Sequence, residues 1–292
     1  MLPLKKGSAS AAGRCGKWLL PALAALTAAG WLGNSAIVTK EYTIASRRLP
    51  EAFSGMRIVQ ISDLHGKRFG KDDARLLRAV RQARPDLIAL TGDFADELTE
   101  LSALEPLLEG LTALAPVFYV TGNHEWVMDG AQRRELFALL DGCGVVRLRN
   151  SWRVLKSGGC RIVLAGVDDP NGPADQKTPE ALVAEIRAAE GGDAFILMLA
   201  HRNDQLARWA ALGVDAVLAG HAHGGIVRLP GIGPVFGTHY EFFPEFTSGL
   251  YTQDGTQLLV SRGLGASHRL PLRIGNPPEL PVLILRAERP EA

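Results

Sequence analysis

The feature that most constrains this chain is a regular alternation of short apolar runs with segments of helical period. Residues 57–62 (RIVQIS), 87–91, 117–121, 195–200 and 216–219 read as buried strands. Between them, 72–84 places Ala74, Leu76, Leu77, Val80 and Ala83 close to helical spacing. Residues 101–114, 131–140, 178–189 and 205–212 read as further helices, the first of them despite Pro106. Residues 152–155 and 161–167 read as strands around a turn at 157–159, and from Gly220 to Leu285 the chain becomes strand-like and rich in Gly and Pro. Strand–helix alternation predicts a parallel or mixed sheet covered by helices, and the late strands predict a second sheet packed on the first. With 292 residues, 47% of them hydrophobic, the chain can bury the core that such an α/β domain needs. Whole-chain disorder, a collagen repeat and a small disulfide scaffold are excluded.

The first forty residues are unlike the rest. No acid precedes Glu41, while Lys5, Lys6, Arg14 and Lys17 give a positive head. Between Lys17 and Lys40 lie 22 uncharged residues, which as a helix rising about 1.5 Å per residue would cross a bilayer core of about 30 Å. The expected organisation is a basic N-terminus with one apolar helix, a transmembrane anchor or signal segment, over 1–40. A linker follows at 41–56, with an edge strand as the other reading of 41–50, then a folded domain at 57–286 and a tail at 287–292. The basic flank predicts a single-pass protein of the cell membrane, N-terminus in the cytoplasm and folded domain outside. The other reading is a cleaved signal and export. Cys15 precedes the apolar run, on the wrong side for a lipoprotein cleavage site.

The chemistry follows the strands. The first ends in Ser62–Asp63–Leu64–His65, the second in Gly92–Asp93, the third in Gly122–Asn123–His124–Glu125. The strand at 195–200 ends in His201, and that at 216–219 in Gly220–His221–Ala222–His223. Ligands of open α/β sheets gather outside the carboxyl ends of the strands, and five of the seven histidines stand there, with His239 and His268 elsewhere. Each motif alone is ordinary turn chemistry. Together, at the same end of successive strands, they point to a site.

Oxygen and nitrogen donors without thiolate suit Mn, Fe, Zn, Co or Ni. Cys15, Cys143 and Cys160 are too few and scattered for a thiolate site or a disulfide framework; Cys143 and Cys160 are expected as small buried hydrophobes. Two carboxylates, one amide and four histidines exceed what one ion needs, whereas two ions about 3.5–4 Å apart would use all seven. Metal coordination lowers a bound water's pKa from about 15.7 to about 7, on the order of 12 kcal/mol at about 1.36 kcal/mol per unit. A lone general base contributes about 10²–10⁴-fold. A net charge of only +1 supplies no broad basic field for general nucleic-acid binding.

As a set, Asp63–X–His65, Gly92–Asp93, Gly122–Asn123–His124–Glu125, His201 and Gly220–His221–X–His223 resemble the calcineurin-like metallophosphoesterase superfamily, over nearly all of residues 57–285. The resemblance implies a four-layer αββα sandwich of two mixed sheets flanked by helices, and a dinuclear site in which Asp63, His65 and His223 bind one ion, Asn123, His201 and His221 the other, and Asp93 both. It implies His124 near the leaving-group oxygen as general acid or charge stabiliser, with Glu125 orienting the loop. His223–Gly224–Gly225, Arg228–Leu229–Pro230, residues 261–265 and Asn276–Pro277–Pro278–Glu279 are similar to a bacterial subgroup of membrane-anchored or exported phosphodiesterases. That subgroup has a relative acting as UDP-2,3-diacylglucosamine pyrophosphatase. Ala222, Ile226 and Asn203 depart from its pattern, and no Arg stands beside Gly92–Asp93 as in phosphoprotein phosphatases.

The expected function is hydrolysis of a phosphodiester, phosphomonoester or pyrophosphate by metal-bound hydroxide, with two divalent ions, Mn foremost. A lipid-linked UDP-sugar pyrophosphatase and a non-catalytic scaffold are the alternatives. The expected partners are a phosphate-containing small molecule or lipid-linked substrate, and the membrane. Tyr240, Phe242, Phe243 and Phe246 are candidates for a lipid-facing mouth or for core packing. Arg262, Arg269 and Arg273 are candidates for phosphate contact or a solvated face.

Overall fold

The computed structural model describes residues 36–238, 240–266 and 273–288. Two six-stranded sheets stack face to face. The first holds β1 (Val38–Ser46), β2 (Arg57–Ile61), β3 (Leu87–Thr91), β4 (Val117–Val120), β5 (Val146–Arg147) and β14 (Glu279–Ala287), in the order β1-β14-β2-β3-β4-β5. The second holds β6 (Ser151–Ser157), β7 (Cys160–Gly166), β8 (Ile196–Leu199), β9 (Ala216–Ala219), β12 (Gly249–Gln253) and β13 (Thr256–Val260), in the order β12-β13-β9-β8-β7-β6. A separate hairpin joins β10 (Val227–Leu229) to β11 (Gly233–Phe236).

Both sheets are mixed. β2, β3 and β4 run parallel, as do β7, β8, β9 and β13, while β14 runs antiparallel to β2. The central strands are apolar on both faces, as expected of parallel strands buried on each side. Along β2 and β3, Ile58, Leu87 and Ala89 face the second sheet, and the alternate residues Val59, Ile88 and Leu90 face outward onto helices. The outer helices of the first sheet are α1 (Ala74–Ala83), α2 (Glu105–Thr112) and α4 (Gly130–Gly142), through Leu76, Val80, Leu108, Leu111 and Leu136. Those of the second are α5 (Pro179–Glu190) and α6 (Leu206–Ala211), through Leu182, Ile186 and Trp209. Pro106 does not break α2 because it stands in the first turn, where its missing N–H would have had no helical acceptor.

Two expectations change, and one open choice is resolved. The late strands do not make a sheet of their own: β12 and β13 complete the second sheet, and β14 crosses to the first to pair with β1 and β2. Of the two readings of 41–50, the edge strand holds: β1 stands at the edge of the first sheet, with Ile44 fully buried between the sheets. The expected N-terminal helix falls in residues 1–35, outside the described residues, but Val38 and Thr39, counted in the uncharged run, belong to β1. No helix of the described residues is long and apolar enough to cross a membrane.

Candidate metal centre

The strands deliver their donors to one edge of the sandwich. Asp63 and His65 follow β2, Asp93 follows β3, Asn123 and His124 open the short helix α3 (Asn123–Val127) after β4. His201 follows β8, and His221 and His223 follow β9. One atom each of Asp63, His65, Asp93 and His223 lie within 4.8 Å of one another, and so do atoms of Asp93, His201 and His221. Asp93 belongs to both groups. Asn123 joins the second, its Oδ1 standing 3.2 Å from His201 Nε2. Each group therefore takes donors from both sheets.

The loops reach this arrangement through unusual backbone. Asp63, His65, Asp93, His221 and His223 all have positive φ, between 49° and 70°. Asp and His tolerate the left-handed region better than most residues, and such outliers gather at functional sites. Gly122 must be glycine, because a Cβ there would overlap the Asp93 carboxylate. Glu125, fully buried, accepts hydrogen bonds from the backbone N–H groups of Phe94 (2.7 Å), Gly122 (2.7 Å) and Asp93 (3.0 Å). It ties the β3 and β4 loops together. Burial, then the Asp93 charge, lifts its carboxyl to about 7.

The electrostatics of the cluster centre on Asp93. His65 Nε2 faces His223 Nε2 at 3.3 Å, and His221 Nδ1 faces His201 Nε2 at 3.2 Å. His201 Nδ1 lies 2.9 Å from the Thr91 carbonyl oxygen, which can only accept, so Nδ1 carries a proton, and Nε2 stands 3.2 Å from Asp93 Oδ2, to which it donates when it too is protonated. Burial disfavours a charged His201, yet the Asp93 carboxylate outweighs it and lifts the imidazole to about 10. Burial also opposes charge on His65, where Asp96 and Asp93 prevail and raise it. His221 is pushed down to about 2 by burial and then by His201, and His223 to about 4 by burial. Asp93 is held well below the carboxylate range, burial being overcome chiefly by His201. The negative charge of Asp93 thus favours positive charge on the imidazoles of His65 and His201, the same demand that a cation among these donors would meet. Asp63 Oδ2 and His223 Nδ1 are buried with no hydrogen-bond partner among the described residues. Such orphaned donors, mixed O and N without sulfur, fit a pair of divalent cations.

His124 lies at the rim, half-buried, its ring 4.7 Å edge-on from His65 and its Nδ1 3.7 Å from Glu97. Burial lowers its pKa against the pull of Asp93. A further group escaped sequence reading. Arg202 donates to Asp169 at 2.6 and 3.1 Å and brings Nη1 within 2.9 Å of His221 Nε2. Asp169 follows β7, so the rule that found the other motifs, an acid just past a strand, would have found it too. The other basic candidates are committed elsewhere. Arg273 is buried, donating to the carbonyls of Gly265, Arg262 and Asn276, while Arg262 pairs with Glu279 at 3.3 Å. Arg269, His239, His268 and Cys15 lie outside the described residues. Cys143 and Cys160 are half-buried, free thiols packed against two different cores.

The model of the calcineurin-like phosphoesterase family matches residues 56–225. The metallophosphoesterase YkuE of Bacillus subtilis (strain 168) is 32% identical over 281 residues, 91% of this chain and 93% of the relative. A transmembrane protein with metallophosphoesterase domain from Bos taurus is 32% identical over 86% of this chain and 57% of its own length. Phosphodiesterase YaeI of Escherichia coli (strain K12) is 28% identical over 78% of this chain and 82% of its own.

Proposed function

The chain belongs to the calcineurin-like phosphoesterase family, and from that premise we propose a two-metal hydrolase of a phosphodiester or pyrophosphate, with phosphomonoesters as the lesser substrates. Asp63, His65 and His223 would hold one cation, Asn123, His201 and His221 the second, and Asp93 both. The observation that carries this reading is the shared Asp93 between two groups of converging donors. Divalent cations in such a pair supply Lewis-acid charge stabilisation and a nucleophile usable at neutral pH, Mn being the first to try. The chain's own residues do the rest. Glu125 keeps the Asp93 and Asn123 loops in register through three backbone N–H bonds. His124, at the rim, hydrogen-bonds or protonates the departing oxygen. Arg202, its Nε and Nη2 committed to Asp169 and its Nη1 beside His221 Nε2, orients that imidazole and adds a fixed positive charge beside the site for an anionic ester.

The phosphodiester reading is supported by the relative named as a phosphodiesterase. A membrane-proximal substrate, such as a lipid-linked nucleoside diphosphate sugar, is supported by the uncharged run before Lys40 and by the relative named as a transmembrane protein. In that reading the run anchors the chain with the domain outside the cell membrane. Retention of all seven donors argues against a scaffold that has given up catalysis. The test is metal depletion followed by reloading with Mn²⁺. The loaded protein should carry two ions per chain by elemental analysis and hydrolyse bis-p-nitrophenyl phosphate. One ion or none, with no hydrolysis, would refute the reading.

A further inference from the structure

The sequence candidates for a lipid-facing mouth part company in the structure. Phe246 packs onto Tyr251, ring centroids 5.0 Å apart, at the margin of the second sheet's helical core. Tyr240, Phe242 and Phe243 instead project from the excursion that carries β10 and β11, exposed by 72%, 72% and 66%, with Ile232 at 64% and Leu229 at 42% beside them. Five of the nine exposed large hydrophobic side chains of the described residues thus belong to one segment of 15 residues, 229–243. The described residues of the lobe pack on one another. Phe236 makes ring contacts with Tyr240 and Phe242 at 6.2 and 5.3 Å, and Phe243 N–H donates to the Val235 carbonyl.

Its position decides what it meets. The lobe begins two residues after Gly225, itself two residues after the donor His223. Asn276 holds its base, donating from Nδ2 to the carbonyls of His223 and Gly225. Two residues further on, the Pro278 carbonyl accepts from Val38 N–H at 2.8 Å. β14 runs antiparallel to β2 and β1 runs parallel to β14, so β1 begins at the edge where β2 ends and the metal centre lies. The uncharged run of 22 residues therefore joins the domain on the same side as the aromatic lobe and the site. Of that run, 18 residues precede Ala36, about 27 Å as a helix at about 1.5 Å per residue.

We propose that residues 227–246 are a bilayer-contacting surface that seats Ile232, Tyr240, Phe242 and Phe243 in the lipid interface beside the mouth of the metal centre. Aromatic side chains favour the headgroup level of a bilayer, and such faces enter about 5–10 Å. The lobe carries Arg228 against Glu241 and Glu245, so the attraction is apolar and does not need anionic lipid. The site then opens toward the interface, and its substrate class is an amphiphile whose phosphoester lies at headgroup depth. That last clause rests on the phosphoesterase reading; the docking surface does not.

The test uses the full chain carrying Phe242→Trp, mixed with phosphatidylcholine vesicles with and without brominated acyl chains. The parent, whose tryptophans are Trp18, Trp31, Trp126, Trp152 and Trp209, gives the baseline. Loss of emission beyond the parent's supports the surface, and Phe243→Trp should repeat it. No loss beyond the parent's, from both variants with unchanged melting, overturns it. Sedimentation as paired chains without that loss overturns it equally, in favour of a second copy as the occupant. Hydrolysis of bis-p-nitrophenyl phosphate by the parent is measured alongside. If hydrolysis is absent and quenching present, the phosphoesterase reading fails and the docking surface survives; the converse separates them the other way.

Discussion

Buried acids stand at both ends of the parallel strands and are treated in opposite ways. Asp215, just before β9, is completed by the protein: Oδ1 accepts from Arg48 Nε at 2.7 Å and Oδ2 from the Ile196 N–H at 2.9 Å. At the other end, Asp63 keeps one oxygen buried with no hydrogen-bond partner among the described residues, and Asp93 faces imidazole nitrogens there rather than a lysine or arginine. Burial alone does not mark a functional carboxylate. An acid satisfied by its own chain is structural, whereas one left short of partners among other unsatisfied donors forms a field for something the chain does not encode.

The sharpest way to break this comparison is to change one acid at each end. Asp93→Asn should lose at least about four decades of phosphodiester hydrolysis, more than about 5 kcal/mol, together with one bound ion by elemental analysis, while still folding. His124→Ala should lose about 10²–10³-fold and keep both ions; unchanged turnover with full metal content would remove His124 from the reaction. Asp215→Ala should do the reverse, costing about 2 kcal/mol by urea denaturation, discounted because Arg48 is a third exposed, with kcat and metal content intact. Arg202→Gln should raise KM for an anionic ester about tenfold, roughly 1.4 kcal/mol, with metal affinity altered less. The mildest effect is one of pH. His201 is lifted from 6.5 to about 10 in the metal-free fold, so the stability it contributes is complete below about 6.5 and lost as pH rises through about 10. Melting temperatures of metal-depleted protein should therefore fall over that window, and Mn²⁺ should flatten the slope, since a ligated imidazole is already neutral.

Much of the site was legible because its signal is positional. Asp, Asn and His just past an apolar run mark the carboxyl end of a strand whether or not the pairing is known. The backbone that aims them was not legible: nothing in Asp63–Leu64–His65 announces two residues of positive φ. Arg202 was hidden differently, since its role depends on Asp169, 33 residues away, and on a ring that only folding brings near. The return of β14 to the first sheet was also invisible, because a strand's apolar pattern fixes its faces and not its neighbours. Arg262 and Arg273 looked like phosphate contacts only while the carbonyls and carboxylate that occupy them were unknown.

Neither donor group belongs to one sheet. Asp63 and His65 hang from the first sheet and His223 from the second; Asn123 from the first, His201 and His221 from the second. Ions seated between them would rivet the two halves of the sandwich at the rim farthest from Asp215. Without them that rim is fastened by hydrogen bonds such as the one from His221 N–H to Asp63 Oδ1 at 2.9 Å, and binding energy withheld from the native state would be stability forgone. A starved copy should then be cut by a protease sooner than a loaded one, so that scarcity of metal would set how long the chain survives as well as how fast it works.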